Sequence, residues 1–328
     1  MTIAPVIPAA AKRSAGTQEA HDAPVVLGPG SAAPSGMTAG AVTVVMVVYR
    51  TGPVLEDTLQ RALAEPDVDQ LVLVDNGSTD EEAAWLDAAA ADPRARLVRG
   101  HGNVGFARGA NMGADAATGD AVVFLNPDAF LRPGCLDALQ AALRSCEGPC
   151  LVGARVLDED GTEQRGARRG EVTPVTTLLS LTRLAHLPMF CRFEVHHEAE
   201  ALPDAPVPVP TVSGACFAMR RADFTKLGGF DTGFFLHVED VDLCWRVRRA
   251  GGHVLFQPAA EVTHLGSTSR THPMRVEFHK GVGLARYFRK RADTPGRAVL
   301  AWGLTPAIIG VNVLRPLLRR LGGKGWLR

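Results

Sequence analysis

Three carboxylates, Glu239, Asp240 and Asp242, stand together in the stretch from Gly228 to Gly251, GGFDTGFFLHVEDVDLCWRVRRAG, beside Phe230, Phe234, Phe235 and His237. A carboxylate in a pocket shaped by such rings can take a proton from a hydroxyl, so the cluster points to general-base chemistry. The plainer alternative is that acids gather in the first turn of a helix, where they meet orphan N–H groups and oppose the macrodipole. A helix needs only one cap, and three acids among these rings fit a pocket better.

Further polar groups recur where chemistry with phosphates would use them. Asp75, Asn76, Gly77 and Ser78 lie in DNGSTD, directly after an apolar run, and Asn126-Pro127-Asp128 follows another. The ends of such runs open onto a crevice whose N–H groups suit a nucleotide, although these are also good turn residues. Asp128, held by a stiff proline turn, has the chemistry to ligate a divalent cation that bridges phosphates; a cap is its simpler role. His264, in EVTHLG, comes about two dozen residues after Asp240, and a lone histidine is usually structural. Gly100, Gly102 and Gly105 spell GxGxxG, with Asp128 beyond the next strand, so a dinucleotide fingerprint fits on paper. It belongs on the first strand of its unit, whereas two strands precede it here.

The elements that must hold these groups alternate. Val42–Tyr49 is a continuous β-branched run, as for a strand buried on both faces of a parallel sheet. Pro53 starts a helix with Leu55, Leu59, Ala62 and Leu63 inward, and Asp69–Asp75 returns as a second strand, completing a βαβ unit. Ser78 and Glu81 read as a capping box opening a helix over 81–91. Strands are predicted over 94–99, 121–125 and 151–157, with a helix from Pro133 to Cys146. Residues 158–210 lose regular period but carry an apolar block, Thr176–Phe190, and a proline run, Pro203–Pro210. Sheet character resumes over Thr211–Met219. Leu243, Val247 and Ala250 give the inner face of a helix that begins near Asp240 and ends at Gly251, followed by a strand over His253–Phe256.

With 328 residues and 46% hydrophobic content the chain can build a sizeable core. Basic and acidic residues balance at 35 each, and no nucleic-acid partner is expected. From Arg270 to Arg328, however, thirteen basic residues face two acids, which suits an anionic partner. A basic amphipathic helix is predicted from Pro273 to about Arg291. Beyond it Ala298–Leu314 is apolar, with Pro306 inside, and reads as an interfacial helix on anionic lipid rather than a spanning one; a buried core helix is the alternative. The six cysteines show no CxxC pair, which suits reduced thiols in the cytosol. Residues 1–40, rich in Ala, Pro, Gly and Ser, read as a disordered leader.

Taken together, VVMVVY with VLVDNGSTD, NVGFARGANMGA, FLNPDA, and the Gly228–Gly251 stretch with EVTHLG resemble the family 2 glycosyltransferases, in particular their rhamnosyltransferase-like subgroup, over residues 42–291. The resemblance implies an α/β, GT-A fold: one Rossmann-like nucleotide-sugar-binding domain over 41–291 with a mostly parallel central sheet flanked by helices. Its nucleotide half would be 41–157, an irregular insert 158–210, and an acceptor half 211–291, before a basic, apolar membrane-associating tail over 292–328. It places Tyr49, Asp75, Asn76 and Gly77 at the nucleobase end, Asn103, Gly105 and Arg108 over the nucleotide, and Asn126 and Asp128 in place of a DxD pair. Asp128 and His264 would hold Mg²⁺ or Mn²⁺, more weakly for having Asn126 in the first position. Asp240 would be the base and Glu239 its acidic neighbour.

The implied reaction is inverting transfer of a sugar, a deoxyhexose such as rhamnose, from a dTDP- or UDP-linked donor to a hydroxyl of a glycan or polyprenyl-diphosphate-linked acceptor, in cell-surface polysaccharide synthesis. The expected location is cytoplasmic, peripheral on the inner membrane and against its anionic surface. Two other readings stay open at this point: a nicotinamide-dependent oxidoreductase using Gly100–Gly105, and a catalytically silent, membrane-attached binding protein.

Overall fold

The computed structural model describes residues 40–181, 194–266, 268–269 and 271–321; the leader expected over 1–40 lies, but for Gly40, outside them, as do Cys191 and the second half of the apolar block. In chain order the elements are β1 (Val42–Val48), α1 (Val54–Ala64), β2 (Gln70–Asp75), α2 (Asp80–Ala89), β3 (Ala95–Val98), α3 (Phe106–Asp115), β4 (Ala121–Leu125), β5 (Ala129–Leu131), α4 (Cys135–Ser145) and β6 (Cys150–Leu157). Then follow β7 (Arg168–Arg169), α5 (Pro174–Leu181), β8 (Val207–Pro208), β9 (Thr211–Val212), β10 (Cys216–Arg220), α6 (Arg221–Lys226), α7 (Glu239–Arg249), β11 (His253–His264), α8 (Pro273–Lys290) and α9 (Pro295–Leu321).

The main sheet runs β3-β2-β1-β4-β10-β6-β11-β5, with β8 paired to β11. It is parallel from β3 to β4 and mixed beyond, where β10 lies antiparallel to both β4 and β6. Every residue of β1 is buried because alternate side chains feed two cores. Val42, Val44, Met46 and Val48 pack with α1, α2 and α4 on one face; Val45 and Val47 pack with α3, Leu243 and Val247 of α7, and an aromatic group of Phe124, Phe217, Phe224 and Phe230 on the other. A strand that fills both layers has no polar face, which is why its sequence shows no alternation.

Several elements depart from the sequence reading. The capping box is made one residue later, by Thr79 and Glu82, because Asp75 already takes the N–H of Ser78 into a turn. Thr211–Met219 breaks at Ser213–Ala215 into β9 and β10, and β11 extends through twelve residues to His264. The region expected to be irregular contains β7, α5 and β8. The tail helix α9 continues through Pro306, and it packs along α8 where Gly281 meets Ile309 and Asn312. Of its residues Pro295–Leu314, with mean hydropathy 1.5, only 11% are buried.

Candidate functional site

The chain leaves β1 toward β2 and β3, then returns to the other side of β1 as β4, so the sheet has a topological switch point between β1 and β4. Ligands of open α/β sheets bind outside the carboxyl ends of the strands at such a point. A cavity of 610 Å³ opens there. One wall includes Tyr49 and Thr51 after β1, Asn76 after β2, Asn103 and Gly105 before α3, and Asn126 and Asp128 after β4.

Local hydrogen bonds explain why these residues are Asn and Gly. Asn76, 3% exposed, donates to Asn103 Oδ1 at 3.2 Å and accepts the Val104 N–H at 3.0 Å, while Asn103 also accepts the Gly105 N–H at 3.0 Å. One amide side chain thus fastens the β2 turn to the loop that opens α3. Gly105 has φ 85°, and a Cβ there would lie 2.6 Å from the Phe235 carbonyl oxygen, so only glycine fits. That carbonyl accepts the Phe106 N–H at 2.8 Å, which joins the two halves of the cavity wall.

Asp128 and His264 meet because of register: His264 pairs with Ala129 across β5 and β11, and the Asn126 carbonyl accepts the Ala129 N–H across the proline turn. His264 Nε2 is 3.1 Å from Asp128 Oδ1 and 3.2 Å from Asn126 Nδ2. Its Nδ1 lies 2.8 Å from Gln164 Oε1, so Gln164 orients the ring with Nε2 toward Asp128. Burial pushes the Asp128 carboxyl up, but His264 and the Thr268 hydroxyl, at 2.8 Å, more than offset this and hold it below its ordinary value. This donor set, one carboxylate, one imidazole and an amide, fits a hard cation that takes its remaining ligands from a diphosphate and water.

The third group of acids is placed differently. Glu239, Asp240 and Asp242 occupy the first turn of α7, after His237 and Val238, both with left-handed φ. None of the three lines the cavity, although Phe235, Leu236 and His237 do. Asp240 Oδ2 accepts from Arg169 Nη2 at 2.6 Å and from the Gly214 N–H at 3.1 Å; a side chain at Gly214 would press on the Asp240 Cβ at 3.3 Å. Glu239 is 7% exposed, and burial, then the Asp240 charge beside it, push its carboxyl up to about 8. Asp242 is fully buried and paired with Arg246 at 2.7 Å and Lys290 at 3.0 Å, which makes it structural.

Of the other predicted residues, Asp75, Gly77 and Arg108 stand outside the cavity lining. Asp75 is occupied by the N–H groups of Gly77 and Ser78, with Arg99 at 3.9 Å, and these together outweigh burial and lower its pKa. Gly77 packs under the Tyr49 ring, and Arg108 lies on the exposed face of α3. Gly100 and Gly102 form the loop after edge strand β3 and do not line the cavity, whereas Gly105 does. Sequence reading missed Gln164 and Arg169, which lie in the segment without period and carry no motif. It also missed the cavity face of α8, where Arg275, Glu277 and His279 line the wall.

A family model described as glycosyl transferase family 2 matches residues 43–228. N-acetylglucosaminyl-diphospho-decaprenol L-rhamnosyltransferase of Mycobacterium tuberculosis is 33% identical over 297 residues, covering 84% of this chain and 94% of the relative. Two solved structures share the architecture. One is GalNAc-T7 with UDP, GalNAc and Mn²⁺, at TM-score 0.56 and 18% identity over 83% of this chain and 54% of that one, so this chain spans about half its length. The other is mannosyltransferase PcManGT from Pyrobaculum calidifontis with GDP-Man and Mn²⁺, at TM-score 0.50 and 19% identity over 87% of this chain and 76% of that one. At such identity they speak for the fold alone, which is GT-A. The family match and the near full-length likeness to a rhamnosyltransferase, on a cavity built at the switch point, make this chain a member of glycosyl transferase family 2.

Proposed function

We propose that the enzyme transfers a deoxyhexose, rhamnose, from a dTDP- or UDP-linked donor to a hydroxyl of a polyprenyl-diphosphate-linked sugar, with inversion, in the synthesis of a cell-surface polysaccharide. The observation that carries this reading is the 33% identity to the mycobacterial rhamnosyltransferase across 94% of that relative's length. The nucleotide would lie along Tyr49, Asn76 and Asn103, which leads its diphosphate to Asn126, Asp128 and His264.

Asp128 and His264 would hold Mg²⁺ or Mn²⁺, which when bound offsets the charge of the diphosphate leaving group. Gln164 keeps the His264 ring turned so that Nε2 faces Asp128. Asp240 is the candidate base. It is three residues from wall residue His237, 17% of its side chain is exposed, and Arg169 and the Gly214 N–H aim its carboxylate. Glu239, its carboxyl pushed up to about 8, already holds a proton at neutral pH and is poorly suited to take one from a hydroxyl. Attack by the deprotonated hydroxyl opposite the diphosphate needs no covalent enzyme intermediate, which is the basis for expecting inversion.

The tail gives the reading its location. Val299, Leu300 and Trp302 of α9 are exposed, at 73%, 57% and 65%, next to the arginines and lysine that end α8. Apolar side chains beside a basic cluster suit the surface of an anionic bilayer, on the cytoplasmic side where nucleotide sugars are made. The test is a panel of dTDP- and UDP-sugars with an N-acetylglucosaminyl-diphospho-lipid in vesicles, read by released nucleoside diphosphate and product stereochemistry. Rhamnose transfer with inversion is expected. Donor binding without any release would instead identify a silent binding protein, and transfer of a different sugar would overturn the donor assignment.

A further inference from the structure

Asp128 and Glu277 are the two acids among the residues that line the cavity. Asp128 has His264 and Thr268 for partners. Glu277 has none among the described residues: no cation pairs with it, no donor reaches it, and its Oε2 is shut off from solvent. A carboxylate oxygen stripped of water without a donor is costly, and native structures seldom keep one without a use.

Two ordinary explanations fail. Among the described residues Glu277 joins no ion pair, unlike Asp231, which Arg286 and Lys290 of α8 bind at 2.9 and 2.8 Å. Nor does it join Asp128 and His264 in a ligand set, since the described residues contain no group of three or more acidic, histidine or cysteine side chains able to share a metal. The helix that carries it is rigid. Leu284, Tyr287 and Phe288 of α8 are buried, Gly283 packs against the His237 carbonyl, and His279 stacks on Phe235 with ring centroids 4.6 Å apart. Glu277 is therefore a carboxyl group in the cavity wall without a partner among the described residues.

We propose that Glu277 is a sugar-recognition residue whose carboxylate accepts hydrogen bonds from ring hydroxyls of the sugar in this cavity. Hydroxyls of a ring seated in the cavity can donate to the carboxylate where it lines the wall, and bonds to an ionised acceptor are short and strong. The family assignment suffices for this step; the identity of the sugar rests on the proposed function. Donor and acceptor sugars offer the same chemistry, and the experiment separates them.

Full-length protein in vesicles is assayed as wild type, Glu277→Gln and Glu277→Ala, against donors and lipid-linked acceptors each lacking one ring hydroxyl. Wild type should lose about 10–100-fold in kcat/KM with one such analogue, the range of a charged hydrogen bond. Glu277→Ala should lose a similar factor with the intact substrate and no more with that analogue, because both changes remove one bond. A donor analogue behaving so places Glu277 on the donor, an acceptor analogue on the acceptor. Undiminished discrimination by Glu277→Ala against every analogue overturns the assignment. If no donor is turned over, the proposed function fails separately, and binding decides the inference. Glu277→Ala must then weaken binding of a nucleotide sugar or a lipid-linked sugar while leaving nucleoside diphosphate binding as in wild type, and equal binding of all three by both proteins refutes it.

Discussion

Asp128 and the Glu239–Asp240 pair are both acids set at the end of a secondary element, yet the chain treats them in opposite ways. Asp128 sits in the cavity wall, and its partners are a histidine and a hydroxyl that an incoming cation can displace or share. Glu239 and Asp240 lie outside the wall, one buried with its carboxyl pushed up toward neutrality, the other gripped by an arginine and a backbone N–H. Asp242, in the same turn, is wholly committed to Arg246 and Lys290. Three acids close in sequence thus divide into one candidate base, one neutral neighbour and one anchor. The division follows from what each side chain meets across the fold, since all three share one helix terminus and its dipole.

The comparison is broken most sharply at Asp240. Asp240→Asn keeps the shape and the bonds to Gly214 but removes the base, so single-turnover transfer should fall by about 10²–10⁴-fold while calorimetric affinity for the nucleoside diphosphate stays near wild type. An Asp240→Asn enzyme with undiminished transfer would falsify its assignment. At the other corner, Asp128→Ala and His264→Ala should each weaken the Mn²⁺- or Mg²⁺-dependent gain in nucleoside diphosphate binding. Gln164→Ala should follow with roughly a 10-fold loss, the low end for groups that orient a metal-binding histidine. Unchanged binding in EDTA for wild type would remove the cation from the site altogether.

The region from β1 to β4 was legible because its elements are local. β1 and β2 are unbroken apolar runs, each polar group follows one directly, and Asn76, Asn103, Asn126 and Asp128 all reach the cavity as their positions after strands imply. The groups around His264 and Asp240 were less so, because they depend on distant pairing. Arg169 reaches Asp240 from seventy-one residues away and Gln164 reaches His264 from a hundred, and neither carries a signal of its own. Short elements such as β5, β7 and α6 fall below the length at which periodicity speaks. The tail reads as a helix with Pro306 inside it, and α9 does run through that proline, packed on α8.

A smaller effect is expected from the tail helix α9. Protein truncated at Arg297 lacks the exposed apolar face of α9, and its flotation with anionic liposomes should drop. The basic residues of α8 remain and contribute about 1 kcal/mol each near such a surface, so the loss should be partial and should deepen in high salt. Flotation equal to that of the full chain would remove the tail from membrane binding.

The smallest effect on transfer, and the one that most sharpens the contrast between the two acids, belongs to Glu239. If Glu239 is a neutral acid at neutral pH, Glu239→Gln replaces one uncharged group by another of the same size, and transfer at pH 7 should change by less than about 10-fold, well short of Asp240→Asn. Stability should carry the clearer signature. The folded-state pKa of Glu239 lies near 8, above the ordinary value of 4.5, so between these values the folded protein keeps a proton that the unfolded chain releases. The contribution is complete below pH 4.5 and is lost as pH rises through 8, with a slope of at most about 1.4 kcal/mol per pH unit. Urea unfolding of wild type and Glu239→Gln at a series of pH values from 5 to 9 measures it. The stability of wild type relative to the variant should decline across this window and level off above it. A constant difference would mean that Glu239 is ionised in the folded protein, and a larger loss of transfer in Glu239→Gln than in Asp240→Asn would move the base by one residue.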